Sequence, residues 1–388
     1  MSCGHWLRRA SAGLVAHGSI VATFGFVSLA FSGAANASAI RPPFDATRVL
    51  RDEAADPFVC PVSIRPLIDM SRLASFYVPD STQSVIDPAA LAIYVQRVWP
   101  ANALLTELMD LQKRLLMTSV GRADVSACII RQLRRWADAQ AMLGNIDDNT
   151  PAGHRQAVLV ATWTGIAAAN AYVLATATAR PSAADAAAIT AWFRQLSPLI
   201  AAEFTPQPDR PPELLWLDMT SNHSNWGGVA LGLFAGADND VTGLISALAE
   251  LHKVLAAADP DGALPVEIGR GGLALQYQSF AMLAISILVA EMDANGIGLS
   301  QADEARLQTI GRFTLDAFNH PETLAARVGV TQVTGNSLAA WMEVLQPHMR
   351  LRAPSFAQDM ETTAQPLRPI DALVVGLPIS ALVGKPYP

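Results

Sequence analysis

The chain has 388 residues, 51% apolar and only 16% charged, with a formal net charge of −7. Soluble domains carry roughly 25% charged residues, so this composition excludes a disordered or collagen-like chain and provides for a large core. Lys and Arg never exceed two in a row, which argues against nucleic acid as a partner, because phosphate binding needs a basic stripe.

Residues 1–39 read as an export signal. Arg8 and Arg9 form a basic start, Gly13 to Phe31 is uncharged and largely apolar, and Ala35-Asn36-Ala37 and Ala37-Ser38-Ala39 are both A-x-A cleavage sites. The alternative is a retained anchor; small-residue sites directly after the apolar run favour removal. Residues 40–388 then form one domain with a charge of −9, and the expected location is the periplasm or the medium. Cys60 and Cys128 remain, and an oxidising compartment favours a disulfide between them over two buried thiols.

Helical signals dominate the rest of the chain. Asp87-Pro88 pairs an N-cap with Pro at the first helical position, opening a helix toward Met117 that is expected to bend at Pro100. Thr150-Pro151 repeats that signal ahead of a helix to Thr178. Further helices are expected over Ala123–Leu143, Ala183–Phe204, Thr242–Ala257, Leu273–Asn295 and Asp303–Phe318. Ser182 with Asp185 and Ser300 with Asp303 supply start signals. Val328–Val333 and Ala372–Val375 are the two strand candidates. Beyond Pro347 six prolines imply an irregular tail, whose apolar residues predict that it packs on the body.

Ala157–Ala179 and Gly271–Ala290 are uncharged and long enough to span a bilayer. Both are diluted by Thr, Asn, Gln or Ser, and both are rich in Ala and Gly. Buried helices of a large soluble protein have the same character, so no stable membrane insertion is expected. Helical hairpins with wholly buried members imply an all-α fold in which an inner ring is sheathed by an outer one, an incomplete α/α toroid.

No HExxH, P-loop or GxSxG motif is present, and no histidine pair has metal-ligand spacing, so neither metal nor cofactor is expected. Gly269-x-Gly271-x-x-Ala274 matches a loose dinucleotide fingerprint but lacks the preceding strand. Two segments stand out. Ser221-Asn222-His223-Ser224-Asn225-Trp226 places an amide, an imidazole and an indole at a helix start. In Leu264 to Tyr277, a helix from Arg270 to Tyr277 would put both side chains on one face, beside the small Gly271, Gly272 and Ala274. The bland alternatives are a capping Asn222, an Arg270 paired with Glu267 and a core Tyr277. Together the four residues in a charge-poor chain favour a site.

These segments resemble the family 5 polysaccharide lyases, the mannuronate-type alginate lyases. The likeness extends to Cys60-Pro61, Ser75-Phe76-Tyr77 at the start of the family's lid, Asp87-Pro88, the segment Arg134 to Ala139, and Ala340-Trp341-Met342-Glu343. The resemblance implies an incomplete α/α toroid, a Cys60–Cys128 disulfide, catalytic positions at Asn222, His223, Arg270 and Tyr277, and a lid tyrosine at Tyr77. Three positions depart from the family's pattern: Phe76 in place of a lid Lys, Asn225 in place of a Tyr, and Gln278 in place of a His.

The implied chemistry is β-elimination on a 4-linked uronate polymer. H5 is weakly acidic because the adjacent carboxylate resists further charge, so donors such as Asn222, Arg270 and His223 must offset it. Tyr277 would take H5 and protonate the leaving oxygen, with His223 as the alternative base for the opposite sugar face. A free phenol has a pKa near 10, so phenolate at pH 7 costs about 4 kcal/mol. Arg270 nearby is expected to reduce that cost. Arg134, Arg135, Trp136 and Trp226 are further candidates to hold an acidic polysaccharide. A polyglucuronate substrate, or a non-catalytic binding or export role, are the alternatives, and the chain is expected to act as a monomer.

Overall fold

The computed structural model describes residues 39–80, 82–146, 149–204 and 218–386; most of the expected export signal lies outside them. Helix α1 (Pro88–Met117) starts where the sequence places it, with the Asp87 carboxylate accepting from the Ala89 and Ala90 amides at 2.9 and 3.1 Å. It continues through Pro100. Helix α2 (Arg122–Asp138) ends five residues earlier than expected. Helix α3 (Pro151–Thr178) is capped by Thr150, and α4 (Ala183–Phe204) matches its expected bounds.

The chain goes on through α5 (Asn222–Asp238), α6 (Val241–Ala257), the single turn α7 (Pro265–Ile268), α8 (Ala274–Ala294), α9 (Gln301–Asn319) and α10 (Pro321–Val328). Helices α11 (Ala340–Arg352), α12 (Pro354–Ala364) and the short α13 (Ile379–Leu382) complete it. Helices α1, α3, α5, α8 and α11 pack side by side in succession, and α2, α4, α6, α9 and α12 back them. This double layer is the expected α/α toroid, with α13 touching both α1 and α11.

Among the described residues two helices are long and apolar enough to cross a membrane, and both, α3 and the segment into α8, are mostly buried within the fold. Core helices buried on all sides have this composition. In α5 the crowding requires a glycine at 232, because a Cβ there would collide with the Glu291 carboxyl of α8. The Cys60–Cys128 disulfide is formed, with Cα atoms 5.7 Å apart.

Two expectations fail. Neither Val328–Val333 nor Ala372–Val375 is a strand, and among the described residues β-pairing is confined to isolated bridges. Val328 closes α10, where Gly329 turns left-handed at φ 77°, and Leu373–Val375 forms a 3-10 turn ended by Gly376 at φ 60°. Apolar β-branched runs between such glycines lack a partner strand to pair with. The tail is also more helical than expected, since α11 runs through Pro347. It does pack on the body, with Val375, Leu377 and Ile379 fully buried.

Candidate active site

The site forms where the start of α5, the turn α7, the start of α8 and a loop at residues 75–87 meet. Ser221 precedes α5 and ties its amide to the Ser224 hydroxyl at 3.3 Å, so Asn222 is the first helical residue and not the cap. Its partner is Glu267 on α7, whose carboxylate accepts from the Asn222 backbone amide at 2.6 Å and from Nδ2 at 2.8 Å. A buried carboxylate thus sits against the positive end of α5. Spacing along the chain suggested Glu267 only as a partner for Arg270; it holds Asn222 instead.

Arg270 and Tyr277 come together, but not along a continuous helix. Gly271 takes φ +54° and Gly271–Leu273 is a 3-10 turn before α8 begins at Ala274. The kink folds Arg270 back so that its guanidinium carbon lies 3.8 Å from the centre of the Tyr277 ring. The same guanidinium is 5.1 Å from the Tyr77 ring, and the Tyr77 and Tyr277 hydroxyls are 2.8 Å apart. Arg270 Nη2 donates to the Gln83 carbonyl at 2.6 Å. The 75–87 loop is therefore closed over the arginine. Arg270 Nε and Asn222 Oδ1 are buried and have no partner among the described residues.

His223, beside Asn222 on α5, has its Nδ1 3.3 Å from Arg155 Nε of α3. Arg155 is 4% exposed and also meets the Glu203 carboxylate at 3.4 Å, which in turn holds His154 at 2.9 Å. Burial, the Arg155 charge and the Arg270 charge all push the His223 pKa well below its ordinary value, so the imidazole is neutral.

The other titrations depart from what spacing alone implies. Burial raises Glu267 to about 7, although Asn222 and Arg270 pull it down. Burial also raises Tyr277 above its ordinary value; Arg270 opposes the shift, as expected, but does not overcome it. In the closed site Tyr277 is a neutral phenol.

Several assignments are corrected. Trp136 and Trp226 are fully buried, so neither offers a ring face to a sugar. Trp136 Nε1 donates to the Ile64 carbonyl at 3.3 Å, and Trp226 packs on Phe280 with ring centres 4.7 Å apart. Arg134 is spent on Asp138 and Asp185, and Arg135 points into solvent from α2, making no ion pair among the described residues. Two family departures are structural: Gln278 bonds the Leu264 amide, the Gly262 carbonyl and the Thr314 hydroxyl. The buried Asn225 amide nitrogen, turned toward its acceptors, donates to the Ser221 carbonyl and to Glu250. The third, Phe76, lies between Tyr77 and Tyr94, with ring centres 4.6 and 4.9 Å away. Sequence reasoning missed Arg155 and Glu203, because nothing in their local sequence marks a partner that only tertiary packing supplies.

A fold and a site of this kind define a helical-toroid protein built around a tyrosine–arginine pair. The profile of the alginate lyase family matches residues 75–324, and the chain belongs to that family. It is 26% identical over 231 residues to an alginate lyase of Pseudomonas fluorescens strain Pf-5, covering 58% of each chain. It is 24% identical over 324 residues to one from Pseudomonas entomophila, covering 81% of this chain and 84% of the other. The chain thus spans under two thirds of the first relative's length. Among solved structures, a variant of alginate lyase A1-III complexed with tetrasaccharide superposes with a TM-score of 0.68 at 18% identity, covering 91% of this chain and 98% of that one. An alginate lyase from Bacteroides ovatus gives a TM-score of 0.51 at 13% identity, covering 81% and 84%.

Proposed function

We propose that the protein is a polysaccharide lyase that cleaves 4-linked uronate polymers, with mannuronate-rich alginate as substrate, by metal-independent β-elimination. The observation that carries this is the stacking of Arg270 on Tyr277 beside Asn222 and His223. Arg270 Nε, the Asn222 Nδ2 hydrogen not spent on Glu267 and the His223 ring offset the uronate carboxylate, so that the charge developing at C5 becomes tolerable. Loss of one such donor typically costs about 10²–10³ in rate.

Tyr277, as phenolate, takes H5; the C5–H pair forms the C4–C5 double bond, and the C4–O4 bond breaks. Tyr277 then returns the proton to O4. One residue closes the proton balance, and Tyr77, 2.8 Å away, donates to the phenolate oxygen while Tyr277 is ionised. The polymer is endo-cleaved by a monomer, in the periplasm or after release, once residues 1–39 have directed export. The basic start and A-x-A sites support that location.

The test is incubation with alginate, mannuronate blocks, guluronate blocks and polyglucuronate, following the ultraviolet absorbance of the unsaturated product. Absorbance growing on mannuronate-rich polymer supports the reading. Binding without product across the panel would make the chain a polysaccharide-binding protein.

A further inference from the structure

The network behind His223 decides which role that histidine can play. Arg155 Nε is a guanidinium nitrogen, which can only donate, and its neighbour at 3.3 Å is His223 Nδ1. A ring nitrogen that accepts a hydrogen bond carries no proton, so the neutral imidazole holds its hydrogen on Nε2. The guanidinium is itself fixed: it is buried, it meets Glu203 at 3.4 Å, and its carbon lies 5.3 Å from the Phe204 ring centre. A guanidinium does not give up its proton, so no relay through Arg155 can free Nδ1.

We infer that Arg155 is a positioning residue that locks His223 as a hydrogen-bond donor at Nε2. Of the two candidate bases, Tyr277 is then the one left to accept H5, and cleavage is confined to sugars that present H5 on the Tyr277 face, such as β-linked mannuronate. This rests on the lyase function proposed for the site. An imidazole whose basic nitrogen is spent on Arg155 and whose other nitrogen is protonated has no lone pair for a carbon acid. It can donate to the sugar's carboxylate or hydroxyls, which is a neutralising role. The charged groups facing the ring are Arg155 from α3 and Arg270 from the kink before α8, with Glu267 adjoining through Asn222. Both cations disfavour an imidazolium.

The deciding experiment is a long-range proton–nitrogen correlation spectrum of the full chain labelled with ¹⁵N-histidine at pH 7, with His223 assigned by His223→Gln. The expected pattern is the neutral Nε2–H form; an Nδ1–H form or an imidazolium overturns the inference. With His223 assigned, the wild-type spectrum decides this even if the Arg155 variants fail to fold. In Arg155→Met the ring should become a tautomer mixture, and the mannuronate-over-guluronate ratio of kcat/KM should fall at least tenfold. Arg155→Lys, which keeps a donor, should restore most of the ratio. An unchanged tautomer in Arg155→Met, or wild-type guluronate cleavage as fast as mannuronate cleavage, overturns it. The spectrum does not depend on turnover: an Nε2–H ring in a protein inert on every polyuronate would fail the lyase reading while leaving Arg155's hold on His223 intact.

Discussion

The hydroxyls of Tyr77 and Tyr277 are 2.8 Å apart, joining residues 200 positions distant in sequence across the mouth of the site. The contact sets what the loop at 75–87 contributes. It closes over Arg270 and sets a second hydroxyl against the oxygen that must become anionic, a hydroxyl that can donate once Tyr277 is ionised. A charge-assisted hydrogen bond contributes about 1.5–3 kcal/mol. Tyr77→Phe should therefore lower kcat by about 10–100-fold with a smaller change in KM, measured by initial rates on mannuronate blocks.

The pH dependence is set by the Tyr277 shift. Its folded-state pKa lies above that of a free phenol because burial outweighs Arg270. The reactive phenolate is accordingly scarce at pH 7 and gains about tenfold per pH unit as pH rises. Log kcat/KM should climb with near-unit slope into the alkaline range. A profile that is flat or falling above pH 7 would remove Tyr277 as the base.

Glu267 offers a separate test. Its pKa is raised from 4.5 to about 7, so the folded state holds a proton that the unfolded chain releases. Stability is then full below about pH 4.5 and declines as pH rises toward 7, by about 3 kcal/mol in all. Glu267→Gln should flatten that decline in urea titrations at pH 5 and 8. It should also cut kcat by about 10-fold or more, because glutamine's amide faces Asn222 Nδ2 with a donor and turns that amide around.

How far the sequence led depended on how local each signal was. Asp87-Pro88 and Thr150-Pro151 announce helix starts through their own side chains and ring geometry, and both helices begin at those positions. The apolar runs at 328–333 and 372–375 misled because a strand requires a partner, which a pattern along one segment cannot reveal. At the site, Asn222, Arg270 and Tyr277 were legible as types that suit elimination. The reason Arg270 meets Tyr277 was not, since it lies in the Gly271 kink and not in helical periodicity. Trp136 and Trp226 had the composition of sugar platforms, but burial removes their faces. Glu267 and Arg155 act through contacts 45 and 68 residues away in sequence, and no local spacing signals such pairs.

The C-terminal tail makes a stability prediction. Glu343 is wholly buried, its two oxygens held by Arg368 Nε at 2.5 Å and by the Ser380 hydroxyl at 2.5 Å. Arg368 also pairs with Glu361, which accepts from Lys385 as well. Arg368→Met strands a buried carboxylate and should cost about 3–5 kcal/mol of unfolding free energy. Equilibrium urea denaturation would show it as a lower midpoint at unchanged slope.

The central claim is that one phenol moves the proton in an elimination, and end-group analysis of the cleaved polymer tests it most directly. Mass spectrometry of mannuronate-block digests should show new ends lighter by one water than hydrolysis would leave, and Tyr277→Phe should abolish them while the fold persists. Hydrated new ends, or a Tyr277→Phe enzyme with undiminished turnover, would contradict it.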